Sequence, residues 1–172
     1  MHHLSKIVFG LWILFGLSCQ ADGDWKAGVS RVSITPERPV WMAGYAARQS
    51  PSTGVLHEIY ARTLVLSAPS GNRLVVIAMD LIEIPDSLRA AILDRLQKSH
   101  GLEPHEILLN VSHTHGGPMI SAQTVRDWGV DELWAKVAQQ VADGIVDKID
   151  QSVGEAIKDL REVSVAYHHA RC

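Results

Sequence analysis

The chain has 172 residues, 47% hydrophobic and 20% charged, with a formal net charge of -3. That balance excludes a disordered tail, a collagen-like repeat and a polycationic nucleic-acid binder, each of which needs a far more skewed composition. It fits one globular domain, with about 150 residues left to build a core once the first two dozen are set aside.

Lys6 precedes an unbroken apolar run over residues 7–17, and the polar stretch 18–23 follows it. The run is about half the ~20 residues that a spanning helix needs, but it suits a signal-peptide core. Residues 1–21 therefore read as a signal peptide, with Cys19 and Ala21 at the small-residue positions of the cleavage site. The alternative is a lipoprotein signal ending before Cys19, although Gly16 stands where a leucine is expected. Either reading sends the chain out of the cytoplasm, to be periplasmic, secreted or lipid-anchored at the membrane. With Cys19 removed or acylated, Cys172 is a lone thiol at the last position, and no disulfide framework is available.

Beyond the signal, residues 22–172 read as one region without repeats or linkers. Residues 27–34 alternate apolar and polar and stop at Thr35-Pro36, as a strand entering a turn does. Residues 39–53 form a loop containing Gly44. Residues 59–66 and 74–79 are strands joined by the turn signal Pro69-Ser70-Gly71-Asn72, and so pair antiparallel. Asp80 closes the second. Asp86 or Ser87 caps a helix running to Lys98, with Leu88, Ile92 and Leu96 on one face and Gly101 as its stop. Residues 106–111 make a short buried strand that delivers a loop from its carboxyl end. From Asp131 to about Leu160, Leu133, Trp134, Val137, Val141, Ile145 and Ile149 recur at helical spacing, with Gly144 and Gly154 as points of bending or splitting. Residues 163–167 alternate again. The order predicts an α/β fold, a mixed sheet with flanking helices, whose ligands gather at the carboxyl ends of strands.

Residues 110–118, Asn-Val-Ser-His-Thr-His-Gly-Gly-Pro, follow such an end. In extended chain His113 and His115 project to the same side, with α-carbons about 6.6 Å apart, and zinc accepts neutral imidazole at about 2.0 Å. Gly116 and Gly117 leave room for close approach. On residues alone the pair stays open between half of a metal site and a surface turn with incidental histidines. Among the others, His57 reads as a polar residue at a strand entrance rather than a ligand. His100 and His105 read as solvent-exposed loop residues. His168 and His169 point to opposite faces of a strand and cannot share a metal, and His2 and His3 belong to the signal.

Five segments carry a further signal: residues 27–36 (AGVSRVSITP), 42–45 (MAGY), 54–66 (GVLHEIYARTLVL), 76–81 (VIAMDL) and 112–118 (SHTHGGP). In order and approximate spacing the chain, from about Ala27, resembles the amino-terminal part of the catalytic domain of neutral/alkaline non-lysosomal ceramidases. The resemblance implies one zinc ion that activates water against the amide carbonyl of a lipid amide such as ceramide, yielding sphingosine and a fatty acid. It implies His113 as a metal ligand, His115 as the catalytic residue beside the scissile group, Gly44 in the substrate-binding glycine loop, and Asp80 in a role that either supports the ligands from behind or is structural. It also implies that a further histidine, a glutamate, a tyrosine and a catalytic serine lie downstream of Cys172. On that ground residues 22–172 are expected to be an incomplete part of a larger catalytic domain, inactive alone, with Cys172 as a break point.

Two alternatives remain at this stage. One is an exported, non-catalytic domain that binds a lipid or a partner through the loops around MAGY and SHTHGGP. Val40, Trp41 and Met42 then serve as lipid contacts, or equally as an ordinary core patch; peripheral or lipid-anchored membrane association fits this picture. The other is a truncated product with no function of its own.

Overall fold

A computed structural model describes residues 24–167. The signal segment with His2, His3 and Cys19, and the terminal His168, His169 and Cys172, lie outside the described residues.

Period-two burial builds the sheet. β1 (Trp25–Ser33), β2 (Tyr60–Ser67) and β3 (Arg73–Met79) bury Gly28, then Ala61, Thr63 and Val65, then Val75, Ile77 and Met79, all on one face. The three strands pair antiparallel, with Val29 opposite Leu64 and Leu64 opposite Val76. Between β2 and β3 the chain turns at Gly71, whose φ of 87° falls in the left-handed region. It then crosses over through α1 (Asp86–His100) and a 3₁₀ turn (Pro104–Glu106). β4 (Ile107–Val111) is thereby laid parallel to β3, Val75 facing Ile107 and Met79 facing Val111. After α2 (Ala122–Asp127) and α3 (Glu132–Lys158), β5 (Arg161–Val163) returns to pair with Trp25, Lys26 and Ala27. The strand order is β4-β3-β2-β1-β5, a mixed sheet with flanking helices as the element order predicted.

The helices cover one side. α1 buries Leu88, Ile92 and Leu96 and ends on Gly101 at φ 62°. Its start differs from expectation: Pro85 occupies the N-cap without a side-chain hydrogen bond, and Asp86 is already helical. There its carboxylate still favours the positive end of the helix dipole. α3 is continuous through Gly144 and Gly154. Gly154 is accounted for by packing, since a Cβ there would lie 3.2 Å from His100 Cε1. A Cβ at Gly28 would lie 1.9 Å from the Ala156 carbonyl oxygen, so α3 rides directly on the β1 main chain.

The hydroxyls beneath α3 satisfy one another. Ser30 Oγ donates to the Ser152 carbonyl at 2.7 Å and lies 2.6 Å from Ser152 Oγ, which in turn lies 2.8 Å from Thr63 Oγ1. Burial of Thr63 and Ser152 thus leaves no hydroxyl unpaired.

Three sequence expectations change. Leu133 is 60% exposed, because it sits on the outer side of the first turn of α3. The last strand is confined to Arg161–Val163, and residues 164–167 are exposed without ladder partners. α2 was not foreseen. Its cap, Ser121 Oγ accepting from Thr124 N at 3.1 Å, is legible, but six residues are too few to show helical periodicity.

Among the described residues, no helix lies on the other face of the sheet. Across it run Val29, Leu64, Val76 and Leu108 in one row, with Ala27, Leu66 and Leu74 in the next. Val29 and Leu108 are each 53% exposed and Leu74 is 41% exposed.

Candidate functional site

β1 and β3 and β4 end, and β2 begins, at the same edge of the sheet, so their loops meet there. Beyond Val111 the chain remains tied to the segment after β3: Ser112 N donates to Met79 O at 3.1 Å, and Thr114 N donates to Leu81 O at 3.2 Å. Between these anchors His113 takes φ 55°, a left-handed conformation costing a non-glycine residue about 1 kcal/mol. The extended geometry expected for the His-x-His pair is therefore absent. The rings nevertheless lie 5.4 Å apart between centroids, at 64° to one another.

The ring of His113 is oriented by a 2.8 Å contact from Nδ1 to Ile82 O. A carbonyl only accepts, so Nδ1 carries the proton, and in the tautomer this selects the lone pair is on Nε2. His113 is exposed and His115 half-buried, which leaves the pair at an open surface.

A second loop backs His115. Met42 bridges Pro118, Ala43 N donates to Gly117 O at 3.0 Å, and Met119 N donates to Trp41 O at 2.7 Å. This lacing brings buried Gly44, at φ 70°, against the imidazole. A Cβ at Gly44 would lie 2.4 Å from His115 Cγ and 2.6 Å from Nδ1, so the ring occupies the space of the missing side chain. Tyr45, at φ 52°, meets the same ring edge-on, with centroids 4.9 Å apart. Arg48 donates from Nε to Gly44 O at 3.1 Å and from Nη2 to His115 O at 2.9 Å. Sequence reading passed over Arg48 and Tyr45. The only available signal was their place in a glycine-bearing loop, and neither residue type announces a role there.

Of the residues singled out from sequence, His113, His115 and Gly44 are thus brought together. Asp80 is engaged elsewhere: it accepts from Tyr60 N at 3.0 Å and pairs with Arg62 at 3.0 Å, fixing the β2–β3 edge. The carbonyl that supports His113 belongs instead to Ile82. His57 is exposed in the bend before β2, and His105 is exposed in the 3₁₀ turn. His100 is not a solvent-exposed loop residue. It ends α1 with a side chain 18% exposed, and its Nε2 lies 3.0 Å from Asp150 Oδ1 of α3.

Val40 is buried, and Trp41 packs against Trp134 at 6.2 Å beside Met119 and Val125, which makes these two residues a core patch. The exposed apolar side chains Tyr45, Val55, Leu56, Trp128 and Leu133 all belong to the loops and helix ends at the site's edge of the sheet.

The donors fit a metal only in part. Two imidazoles converge, but among the described residues no group of three or more His, Cys, Asp or Glu side chains is placed to hold one ion. A tetrahedral zinc site takes three or four protein ligands.

Residues 25–172 match the family model described as neutral/alkaline non-lysosomal ceramidase, N-terminal. The chain is 29% identical over 166 residues to neutral ceramidase 1 of Arabidopsis thaliana, covering 95% of this chain and 20% of that protein. It is 32% identical over 119 residues to neutral ceramidase of Drosophila pseudoobscura pseudoobscura, covering 67% of this chain and 17% of that one. Its fold resembles that of neutral ceramidase from Pseudomonas aeruginosa, with a TM-score of 0.69 at 24% identity over 82% of this chain and 22% of that one. A ceramidase complexed with C2 gives a TM-score of 0.70 at 25% identity, with the same coverage. The chain therefore spans about a fifth of the length of the relatives it matches.

Proposed function

The chain belongs to the neutral/alkaline non-lysosomal ceramidase family, and from that premise we propose that it contributes the histidine-bearing part of a zinc-dependent hydrolase of lipid amides. The reaction in this reading adds water across the amide of an N-acylsphingosine, releasing a fatty acid and sphingosine. The observation that carries it is the His113 ring, held at Nδ1 by Ile82 O with its centroid 5.4 Å from that of His115.

His113 would hold part of the coordination sphere, with the remaining donors coming from outside the described residues. Bound zinc supplies Lewis acidity toward the carbonyl and lowers the pKa of water. The protein's own contribution is proton handling and placement. The Cβ, Cγ and Nδ1 side of His115 lies against Gly44, so its Nε2 faces away from that loop. From there it takes a proton from the attacking water and returns it to the departing amine nitrogen. The open apolar side chains Tyr45, Val55 and Leu56 suit an acyl-chain substrate.

Titration of the chain with zinc chloride tests the donor set. Weak binding that disappears in His113→Ala is expected, together with no turnover of a fluorescent ceramide by this chain alone. Tight stoichiometric binding with turnover would contradict the division of ligands, and binding unaltered in His113→Ala would remove His113 from the site. A second reading, a non-catalytic lipid-binding domain, fits a donor set that among the described residues stops at two imidazoles. It predicts ceramide-vesicle binding unaffected by chelator. In either reading residues 1–21 direct export. Amino-terminal sequencing of the protein from a cell-envelope fraction is expected to begin at Cys19 or Asp22, and recovery of intact Met1 would refute it.

A further inference from the structure

We propose that Arg48 is a positioning residue for His115, locking the imidazole onto the Gly44 loop through two main-chain carbonyls. The side chain is half-buried between the two site loops. A turn closed by Arg48 N donating to Tyr45 O at 3.0 Å folds it back over Gly44. One edge of the guanidinium then donates to Gly44 O and another to His115 O, at 3.1 and 2.9 Å, while Nη1 lies 3.5 Å from Met42 Sδ.

Neither carbonyl accepts any other hydrogen bond among the described residues. Both sit where the chain is left-handed or has just left a strand, and cannot be satisfied by regular structure. A planar fork with several fixed donors reaches both at once, which a lysine ammonium does less well. The guanidinium carbon also lies 5.2 Å from the Tyr45 ring centroid, and that ring braces His115 edge-on. Arg48 thus controls the two supports of His115, the absent side chain at Gly44 and the ring of Tyr45. His113 is independent of it, because its orientation comes from Ile82 on the other side of the site.

The functional weight of this role rests on the reading of His115 as the proton-handling residue, whereas the geometry does not. The test is aromatic and amide NMR of the isotope-labelled chain at about pH 8, above the ordinary imidazole range, comparing wild type with Arg48→Met and Arg48→Lys. In wild type the His115 and Tyr45 rings give a cross-relaxation peak. Arg48→Met is expected to lose that peak and to shift and broaden the His115 ring signal, with the sheet amides unchanged and the neighbouring His113 ring altered less than His115. Arg48→Lys is expected to restore a weakened peak. An undiminished His115–Tyr45 peak in Arg48→Met overturns the proposal, as does displacement of His113 and the sheet amides to the same extent as His115. If Arg48→Met does not fold, Arg48→Lys decides: a weakened peak with an intact sheet supports the role, and a full-strength peak refutes it. The readout needs neither zinc nor turnover, so lack of hydrolysis would sink the proposed function without touching this result.

Discussion

Gly44 and His113 show how main-chain conformation, not only side-chain type, makes this site. At Gly44 the requirement is double: φ 70° and a ring in the place of a Cβ. Gly44→Ala is therefore expected to push His115 off its seat and to destabilise the chain by about 1–3 kcal/mol, the range for overpacking. Chemical denaturation with His115 ring NMR checks both parts, and an unshifted ring would show that the loop yields instead. At His113 the sequence showed the right partner in the wrong geometry. The alternation argument needs extended chain, whereas the contact to Ile82 and the flanking amide bonds hold the residue left-handed. Histidine spacing was visible in the sequence; the carbonyl that selects its tautomer was not, because any residue supplies one. Asp80, for which a supporting or a structural role was open, has Tyr60 and Arg62 as its partners.

Among elements, those with a long period were legible and those set by tertiary contact were not. β1 declares itself by alternation, β2, β3 and β4 by apolar runs bounded by turn residues, and α1 and α3 by a helical stripe. α2 and the shortened β5 depend on what they pack against. The 3₁₀ turn before β4 depends on one carboxylate. Glu106 accepts from the Glu103 amide at 2.8 Å and from Arg73 Nε at 3.3 Å. That amide bond, followed by the Arg73 contact, holds its carboxyl below the ordinary value of 4.5. A carboxylate with a depressed folded pKa stabilises the fold fully above its unfolded pKa, and the contribution is lost as pH falls through the folded value. Glu106→Gln is expected to cost about 1 kcal/mol at neutral pH. Urea unfolding across the acid range should show the gap between variant and wild type closing, and a constant gap would mean the charge is not the cause.

At the scale of the whole molecule, the face of the sheet that no described helix covers is what composition could not reveal. Average hydrophobicity was compatible with a comfortable single core, yet among the described residues Val29, Leu74 and Leu108 stand exposed in apolar rows. Exposed apolar area of this kind promotes association. Leu108→Lys is expected to leave stability within about 0.5 kcal/mol of wild type, as at other exposed positions, and to reduce self-association in sedimentation velocity. A loss of about 2 kcal/mol or more would mean that the face is packed in solution.

The parallel register of β3 and β4 has a consequence for how the histidine loop comes into being. The amides of Ser112 and Thr114 prolong that register, since their acceptors are Met79 and Leu81. They are shielded from exchange with solvent deuterium only while the crossover through α1 is closed, and they open with β4 as one cooperative unit. Closing a connection of that length costs chain entropy before any contact repays it. The histidine pair is therefore expected to keep its arrangement only while the β3–β4 crossover is closed, which deuterium exchange at the Ser112 and Thr114 amides would show.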